Sequence, residues 1–210
     1  MVQHQVIDQL EKLIEIGIAL SSEKDTDRLL DKILLGAKSI TSADGGTIYR
    51  TYGVKIKMEI VHSDSLGLRM GGNSGNSIDM PDIPLYLENG SPNLHNVVSC
   101  AYHKDKTINI VDAYNDEEFD FSGTKEFDLH NHYRSKSFLS VPMKNHEGVI
   151  IGVLQLINAL DKTSDVVIGF DAVSQHVTEA LASQAAIVLT KQHLITDLEG
   201  MFESLIQLIA

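Results

Sequence analysis

One amide stands inside the longest apolar run of this chain, and it is the first side chain whose chemistry needs an explanation. Gln155 lies within residues 149–158, which otherwise consist of β-forming apolar residues, one glycine and a final asparagine. A buried amide without hydrogen-bond partners costs on the order of a few kcal/mol. Gln155 therefore either binds a ligand or is satisfied by internal partners, and the sequence leaves both alternatives open.

A second group of polar residues precedes this run. Its members offer a carboxylate, an amide, a guanidinium and a hydroxyl: Asp128, Asn131, Arg134 and Ser135. Three aromatic residues nearby, Phe119, Phe121 and Tyr133, can stack on a planar ring. The pattern favours a small-molecule site. The alternative is a solvated acidic loop whose aromatic residues plug the edge of a sheet.

Other candidate motifs are incomplete. His130 and His132 are two residues apart, which suits a strand face but not a helix face, and no second ligand pair has a recognisable spacing. The glycine-rich residues 71–75 are not followed by the Gly-Lys-Ser/Thr of a P-loop. Cys100 has no identifiable orienting group. We therefore predict neither a metal site nor a catalytic set in these residues.

Composition narrows the class of protein. The 210 residues are 43% hydrophobic and 22% charged, as in soluble globular proteins. A formal net charge of -12 argues against binding to nucleic acid or to anionic membranes. A single cysteine fits a reducing compartment, and no apolar run reaches the roughly 20 residues that span a bilayer. The first residues lack the basic and apolar regions of a signal peptide, so we expect none. We expect a cytoplasmic protein without nucleic-acid or membrane partners.

The elements that would position these residues follow from periodicity. Residues 149–158 predict a central strand covered on both faces, paired through a turn at 145–148 with a strand over 137–143. Alternation over 54–60 predicts a strand with one face in water. The remaining pattern predicts helices over 4–20, 26–40, 96–103 and 124–132, a turn at 43–46, strands over 47–52, 55–62 and 107–111, and loops over 63–95 and 112–123.

The final segment carries a heptad repeat that is typical of a coiled coil. Its positions are Val177, Ala180, Gln184, Ile187, Lys191, Leu194, Leu198, Met201, Leu205 and Leu208. Polar residues at Gln184 and Lys191 can specify a two-stranded state. The repeat stops without a capping residue, so we expect a further domain to follow it. The predicted organisation is a dimerisation helix (1–22), a sensory domain (23–190) and a coiled-coil linker (191–210).

These elements and several motifs resemble a GAF domain. The motifs are residues 109–114, Phe119, residues 133–137, Pro142 and residues 149–158, and the similarity spans residues 25–190. The resemblance is to the cyclic-nucleotide-binding GAF domains of phosphodiesterases and bacterial cyclases. It implies an α+β fold, with a central antiparallel sheet, flanking helices and a ligand under the loops on one side of the sheet.

The resemblance also implies a set of ligand-binding residues: Thr47, Met58, Ala113, Phe119, Phe121, Thr124, Asp128, Asn131, Ser135 and Gln155. A phosphate would meet the backbone N–H groups of a helix start near Gly123 and Thr124. The family's Asn-Lys-Phe-Asp-Glu signature is present only in part, because Ala159 stands where that signature has lysine. No cofactor is implied apart from a bound cyclic nucleotide, cAMP or cGMP.

A second resemblance concerns what this domain would control. Residues 119–124 and 198–210 are similar to GAF modules that precede bacterial HD-GYP phosphohydrolase domains, which hydrolyse cyclic di-GMP. Because none of the metal-binding motifs of those domains lies in this chain, we expect it not to be an enzyme itself, while the full-length protein would be a metal-dependent phosphodiesterase. The implied partners are a small-molecule ligand, a second copy of the chain bound through its terminal helices, and a covalently following output domain.

Two alternatives to a nucleotide sensor stay open. The chain could be a ligand-free dimerisation module whose pocket is filled by its own side chains, or a sensor of a non-nucleotide ligand coupled to a nucleotide or diguanylate cyclase. A third, a methionine-sulfoxide reductase of this fold, needs reactive cysteines, and Cys100 alone argues against it.

Overall fold

The computed structural model describes residues 2–209, without the side chains of residues 2–6, 8–9 and 208–209. The helices are α1 (Val2–Ser22), α2 (Thr26–Thr41), α3 (Val97–Lys104), α4 (Ser122–Asn131) and α5 (Ala172–Ile209). The strands are β1 (Ala43–Tyr52), β2 (Lys55–Ser63), β3 (Leu68–Gly71), β4 (Ile83–Pro84), β5 (Ile108–Ile110), β6 (Phe138–Lys144), β7 (Ile150–Leu160) and β8 (Val167–Ile168).

The strands form one antiparallel sheet. Its order is β3-β2-β1-β7-β6-β5, with β4 added beside β2 and β8 beside β7. β7 lies between β1 and β6 and pairs with both along most of its length. The α+β architecture and the central position of residues 149–158 are therefore confirmed.

Helices α1, α2 and α5 cover one face of this sheet, which we call the helix face. Ile48, Leu154 and Leu156 project from the strands into the same apolar cluster as Leu34 of α2 and Leu181 of α5, and all five are completely buried. Each such side chain stabilises the fold by about 1.5–3 kcal/mol through the apolar surface that it removes from water. α2 begins where predicted, because the Asp25 side chain accepts the Arg28 N–H at 2.8 Å.

A β-bulge redistributes the apolar residues of β2. Ile48 pairs with Ile60, whereas the next residue, Tyr49, pairs with Met58, so Glu59 is the extra residue on β2. Ile60 consequently packs on the helix face, while Ile56 packs on the opposite face, with Met58 against the same cluster. The alternation over residues 54–60 predicts that the apolar residues of this strand share one face. That prediction is wrong, because the bulge moves Ile60 to the other face.

The turn predicted at residues 43–46 is part of β1. A Cβ atom on Gly46 would lie 2.8 Å from the Gln155 carbonyl oxygen and 2.9 Å from Leu34 Cδ1. Glycine is needed here because α2 and β7 pack closely on this strand, and not because the chain reverses.

α1 and α5 run side by side in the same direction. Gln184 lies against Gly17, where an added Cβ would approach its Oε1 to 2.8 Å, and the Gln192 amide contacts the Lys24 carbonyl oxygen. The contact nearer the C-terminus of α1 is also the one nearer the C-terminus of α5, so the two helices are parallel. The chain therefore enters at one end of this helix pair and leaves at the other.

Beyond Val177, which belongs to the predicted heptad seam and is only 7% exposed, the buried stripe of α5 is separate from that seam. The stripe consists of Leu181, Ala182, Ala185, Ala186 and Leu189. The described seam residues beyond Gln184 point away from the domain: Ile187 is 45% exposed, Leu194 53% and Leu198 54%. Leu208 belongs to the side chains that the structure does not describe.

Candidate ligand-binding cavity

A cavity of about 410 Å³ opens on the face of the sheet opposite the helix face. Its floor is formed by β1, β2 and β7, and its walls by the start of α4, the segment before β6 and the loops around β3 and β4. A volume of this size is within the range of small-molecule sites. The lining is predominantly apolar, with a few hydroxyl and amide groups among the aromatic and aliphatic side chains.

Gln155 lies on the floor, directly opposite Thr47 of the neighbouring strand. Its Oε1 accepts a hydrogen bond from Tyr49 Oη at 3.3 Å, and its Nε2 donates to Ser140 Oγ at 2.8 Å. The amide therefore has internal partners at both ends. One N–H and one lone pair of the amide stay available to a ligand.

Tyr49 supports this arrangement as a neutral donor. Its ring is buried between β2, β7 and α3, and burial raises the pKa of its phenol to about 12, although a hydrogen bond with Thr47 acts in the opposite direction. The hydroxyl thus keeps its proton at neutral pH and donates it to Gln155.

The start of α4 contributes the polar part of the wall. The Ser122 N–H donates to Asp120 Oδ1 at 2.9 Å and the Lys125 N–H to the Phe121 carbonyl. Within residues 2–209, no partner exists for the N–H groups of Gly123 and Thr124, both of which line the cavity. Such free N–H groups at the positive end of a helix can bind an anion.

Cationic side chains are absent from the lining among the described residues. The lining residues with ionisable side chains are Asp120, His62, Tyr49 and Tyr133. The His62 side chain is directed to α2, where its Nε2 lies 3.2 Å from Asp31 Oδ1; burial lowers the pKa of this histidine, and the charge of Asp31 opposes the shift. A ligand phosphate could therefore be stabilised here by helix N–H groups but not by lysine or arginine.

Six of the ten predicted ligand-binding residues line the cavity: Thr47, Met58, Phe121, Thr124, Ser135 and Gln155. The other four do not. Ala113 and Phe119 are buried behind the lining, in an apolar cluster that also contains the lining residues Phe121 and Phe138. Asn131 lies on the exposed side of α4, where its Nδ2 donates to the Phe127 carbonyl at 2.8 Å. The resemblance implied all four residues, and chain proximity to Ser135 was a further ground for Asp128 and Asn131, but α4 turns Asn131 away from the cavity.

The carboxylate of Asp128 is hydrogen-bonded to other residues of the protein. Its Oδ2 accepts from the Ser135 N–H at 2.7 Å and from Tyr114 Oη at 2.8 Å, and its Oδ1 accepts from Ser135 Oγ at 2.8 Å. Arg134 stacks outside this group, with Cζ 4.1 Å from the centre of the Tyr114 ring. The carboxylate therefore fixes the segment that carries Ser135 to the cavity, without reaching the cavity itself.

Several residues that line the cavity were not predicted from the sequence. Tyr49 could have been found, because it lies two residues after Thr47 on a strand and so projects from the same face. Leu66, Leu68 and Met80 come from the loop-rich region before α3, which has no periodicity to place them. Across residues 2–209, no group of three or more histidine, cysteine, aspartate or glutamate side chains could hold a metal ion.

The family model for the GAF domain matches residues 25–189. This chain belongs to the GAF family. Sequence relatives include the cGMP-specific 3',5'-cyclic phosphodiesterase of Drosophila sechellia, 27% identical over 159 residues, and the dual 3',5'-cyclic-AMP and -GMP phosphodiesterase 11A of Takifugu rubripes, 27% identical over 151 residues. Each match covers 72% of this chain, but only 12% of the fly protein and 16% of the fish protein.

Solved structures of other proteins share the fold. The GAF domain of an Acinetobacter phosphoenolpyruvate-protein phosphotransferase superposes with a TM-score of 0.64 at 17% identity, covering 90% of this chain and 97% of that one. The free methionine-R-sulfoxide reductase of Neisseria meningitidis gives a TM-score of 0.63 at 15% identity, covering 90% and 93%. In the part of the chain described, no helix is both long and apolar enough to cross a membrane.

Proposed function

We propose that this GAF domain senses a small molecule, most specifically a cyclic nucleotide such as cAMP or cGMP, and transmits its occupancy to an output domain through α5. The observation that carries the proposal is the cavity of about 410 Å³, which combines an apolar interior with the Gln155 amide on its floor and the α4 N–H groups on its wall. A cyclic nucleotide offers matching groups: a planar base for the apolar part and a singly charged phosphate for the helix start.

The relatives support the nucleotide version of this proposal. Their names describe phosphodiesterases that act on cGMP, or on both cAMP and cGMP. Those proteins are several times longer than the matched segment, so their activities are not carried over to this chain. The relatives show that a segment similar to this one occurs in enzymes that act on cyclic nucleotides.

The output domain and the compartment are further parts of the proposal. The resemblance of residues 119–124 and 198–210 to modules that precede HD-GYP domains supports a bacterial cyclic di-GMP phosphodiesterase as the output. In this scheme, residues 1–22 and 191–210 flank the sensory domain as a dimerisation helix and a linker, and the protein acts in the cytoplasm. A ligand shifts the output only if its affinity differs between two arrangements of the helices.

A parallel homodimer is the proposed frame for transmission. α1 exposes Ile7, Leu10, Ile14 and Ile18, which are 48–67% exposed, and α5 exposes Leu194 and Leu198 of its seam. Because α1 and α5 are parallel, one two-fold axis along them can bring both stripes of two copies together. The same stripes would serve the alternative function, a ligand-free dimerisation module. Against that alternative, Phe121 lines the cavity without filling it.

Isothermal titration of the 210-residue chain with cGMP, cAMP, 5'-GMP and guanosine tests the sensing function, with thermal shift as a second readout. We expect saturable binding of a cyclic nucleotide and a rise in unfolding temperature at excess ligand. If none of the four compounds produces heat or a thermal shift, the nucleotide version of the proposal is refuted. Sedimentation of the same preparation then shows whether a ligand-free dimer remains.

A further inference from the structure

A buried carboxylate lies just outside one end of the cavity. Asp44, near the start of β1, is 4% exposed. Its Oδ1 accepts from the Ser65 N–H at 3.0 Å and from the Ser65 hydroxyl, and its Oδ2 accepts from Ser63 Oγ at 3.1 Å and from Tyr133 Oη at 2.5 Å. All four donors are neutral. An ionised acceptor makes each of these bonds stronger than a neutral one would be.

The donors come from two different walls of the cavity. Ser63 ends β2 and Ser65 follows it in the turn that leads to Leu66, whereas Tyr133 belongs to the segment between α4 and β6. Ser63 and Tyr133 line the cavity, and Asp44 itself does not. Asp44 therefore joins the β2–β3 side of the cavity to the α4–β6 side.

The hydroxyl of Tyr133 is fully engaged by the protein. It donates to Asp44 and accepts from Asn158 Nδ2 at 2.9 Å. Asn158, with φ of 56°, also donates to the Arg134 carbonyl and accepts from the Lys136 N–H at 2.7 Å. What Tyr133 presents to the cavity is consequently its ring, held in place by its hydroxyl.

We propose that Asp44 is a positioning residue for ligand capture: through Tyr133 and Ser63 it holds the two walls together at one end of the cavity. The inference rests on the proposed function, because it assumes that a ligand occupies this cavity. Asp44 acts only through the residues it holds. Removing its charge should leave the floor of the cavity intact and loosen one end.

Three variants separate positioning from general stability. Asp44→Asn removes the charged acceptor, Tyr133→Phe removes only the hydroxyl and keeps the ring, and Ser65→Ala removes a bond to the other oxygen of the same carboxylate without touching a lining residue. In titrations with cGMP, we expect the first two to lose about tenfold in affinity, the equivalent of one charge-assisted hydrogen bond. The double variant should be no weaker than either single one, because both break the same link. Ser65→Ala should stay within about twofold of wild type.

Hydrogen exchange tests the same link without any ligand. In Asp44→Asn and Tyr133→Phe, deuterium uptake should rise in segments 63–68 and 132–137 but not in β7, whereas Ser65→Ala should change only segment 63–68. Unchanged uptake in 132–137 for Asp44→Asn, or additive losses of affinity in the double variant, would overturn the inference. An equal rise of uptake across β7 would also overturn it, since that indicates general destabilisation. If the wild-type chain binds none of the nucleotides, the proposed function fails, while the exchange result still decides the role of Asp44.

Discussion

Replacing Gln155 by methionine would separate the two roles that this amide can have. Methionine keeps the length of the side chain but can neither accept from Tyr49 nor donate to Ser140. Two hydrogen bonds of about 1 kcal/mol each are lost, so the free energy of unfolding should fall by about 2 kcal/mol. For a domain of this size, the unfolding temperature should fall by about 4–8 °C.

The matched control is Ser140→Ala. Ser140 is completely buried beside Gln155 but does not line the cavity, and its hydroxyl makes one of the two bonds. This variant should lose about 1 kcal/mol of unfolding free energy, half the effect of Gln155→Met. Urea unfolding gives both values, and titration with cGMP gives the affinity of each variant.

The affinities decide the role of the amide. If Gln155 contacts the ligand, Gln155→Met should weaken cGMP binding by about tenfold or more, whereas Ser140→Ala should stay within about threefold of wild type. Equal affinities for Gln155→Met and wild type, together with lower stability, would show that the amide is purely internal. An unchanged free energy of unfolding for Gln155→Met would refute the reasoning about its two bonds.

Three further predictions concern the rest of the domain. Burial lowers the pKa of His62 from the ordinary 6.5, so the unfolded chain binds the proton more readily than the folded one. The free energy of unfolding of the wild type should therefore fall as the pH drops below about 6.5. The variant His62→Gln should show a smaller fall in urea titrations at about pH 5.5 and 7.5. Gly152→Ala would place a Cβ atom against a backbone oxygen of β1, so it should lower the free energy of unfolding by about 3 kcal/mol or prevent folding. Gly200→Ala on α5, where no atom lies within 4 Å of the added Cβ, should be neutral or stabilising. Equal effects of the two variants in urea unfolding would contradict the packing argument. If the chain forms the proposed dimer, Leu194→Glu with Leu198→Glu should convert it to monomer in sedimentation without changing the unfolding of the domain. A dimer that persists in this variant would exclude the α5 seam as its interface.

Elements with strong local signals were predictable from the sequence. The cap of α2 at Asp25 and that of α3 at Asn96, which accepts from two N–H groups, arise within four residues of chain. The β6–β7 hairpin follows from an apolar run and an adjacent turn, where Asn145 Oδ1 accepts from Glu147 and Val149. In each case, the residues that decide the structure are neighbours in sequence.

Contacts between distant segments were not predictable in this way. Glycine at 45 and 46 is common in turns, and only the approach of β2 to Gly45 and of α2 and β7 to Gly46 shows why these two lie in a strand. The bulge at Glu59 depends on the register of β1 against β2, which no alternating pattern specifies. Asn131 was grouped with Ser135 by proximity, yet the rotation of α4 takes it out of the cavity.

The amino-acid sequence by itself determined the family, the order of the elements and the presence of a polar group on an apolar floor, since these depend on periodicity and local hydrogen bonding. The tertiary structure decided which side chains share the cavity. Tyr133 and Asp44, 89 residues apart, meet because the sheet brings the start of β1 beside the segment that follows α4. Local patterns carry no information about such a meeting, because it depends on how strands separated in sequence are ordered and registered in the sheet.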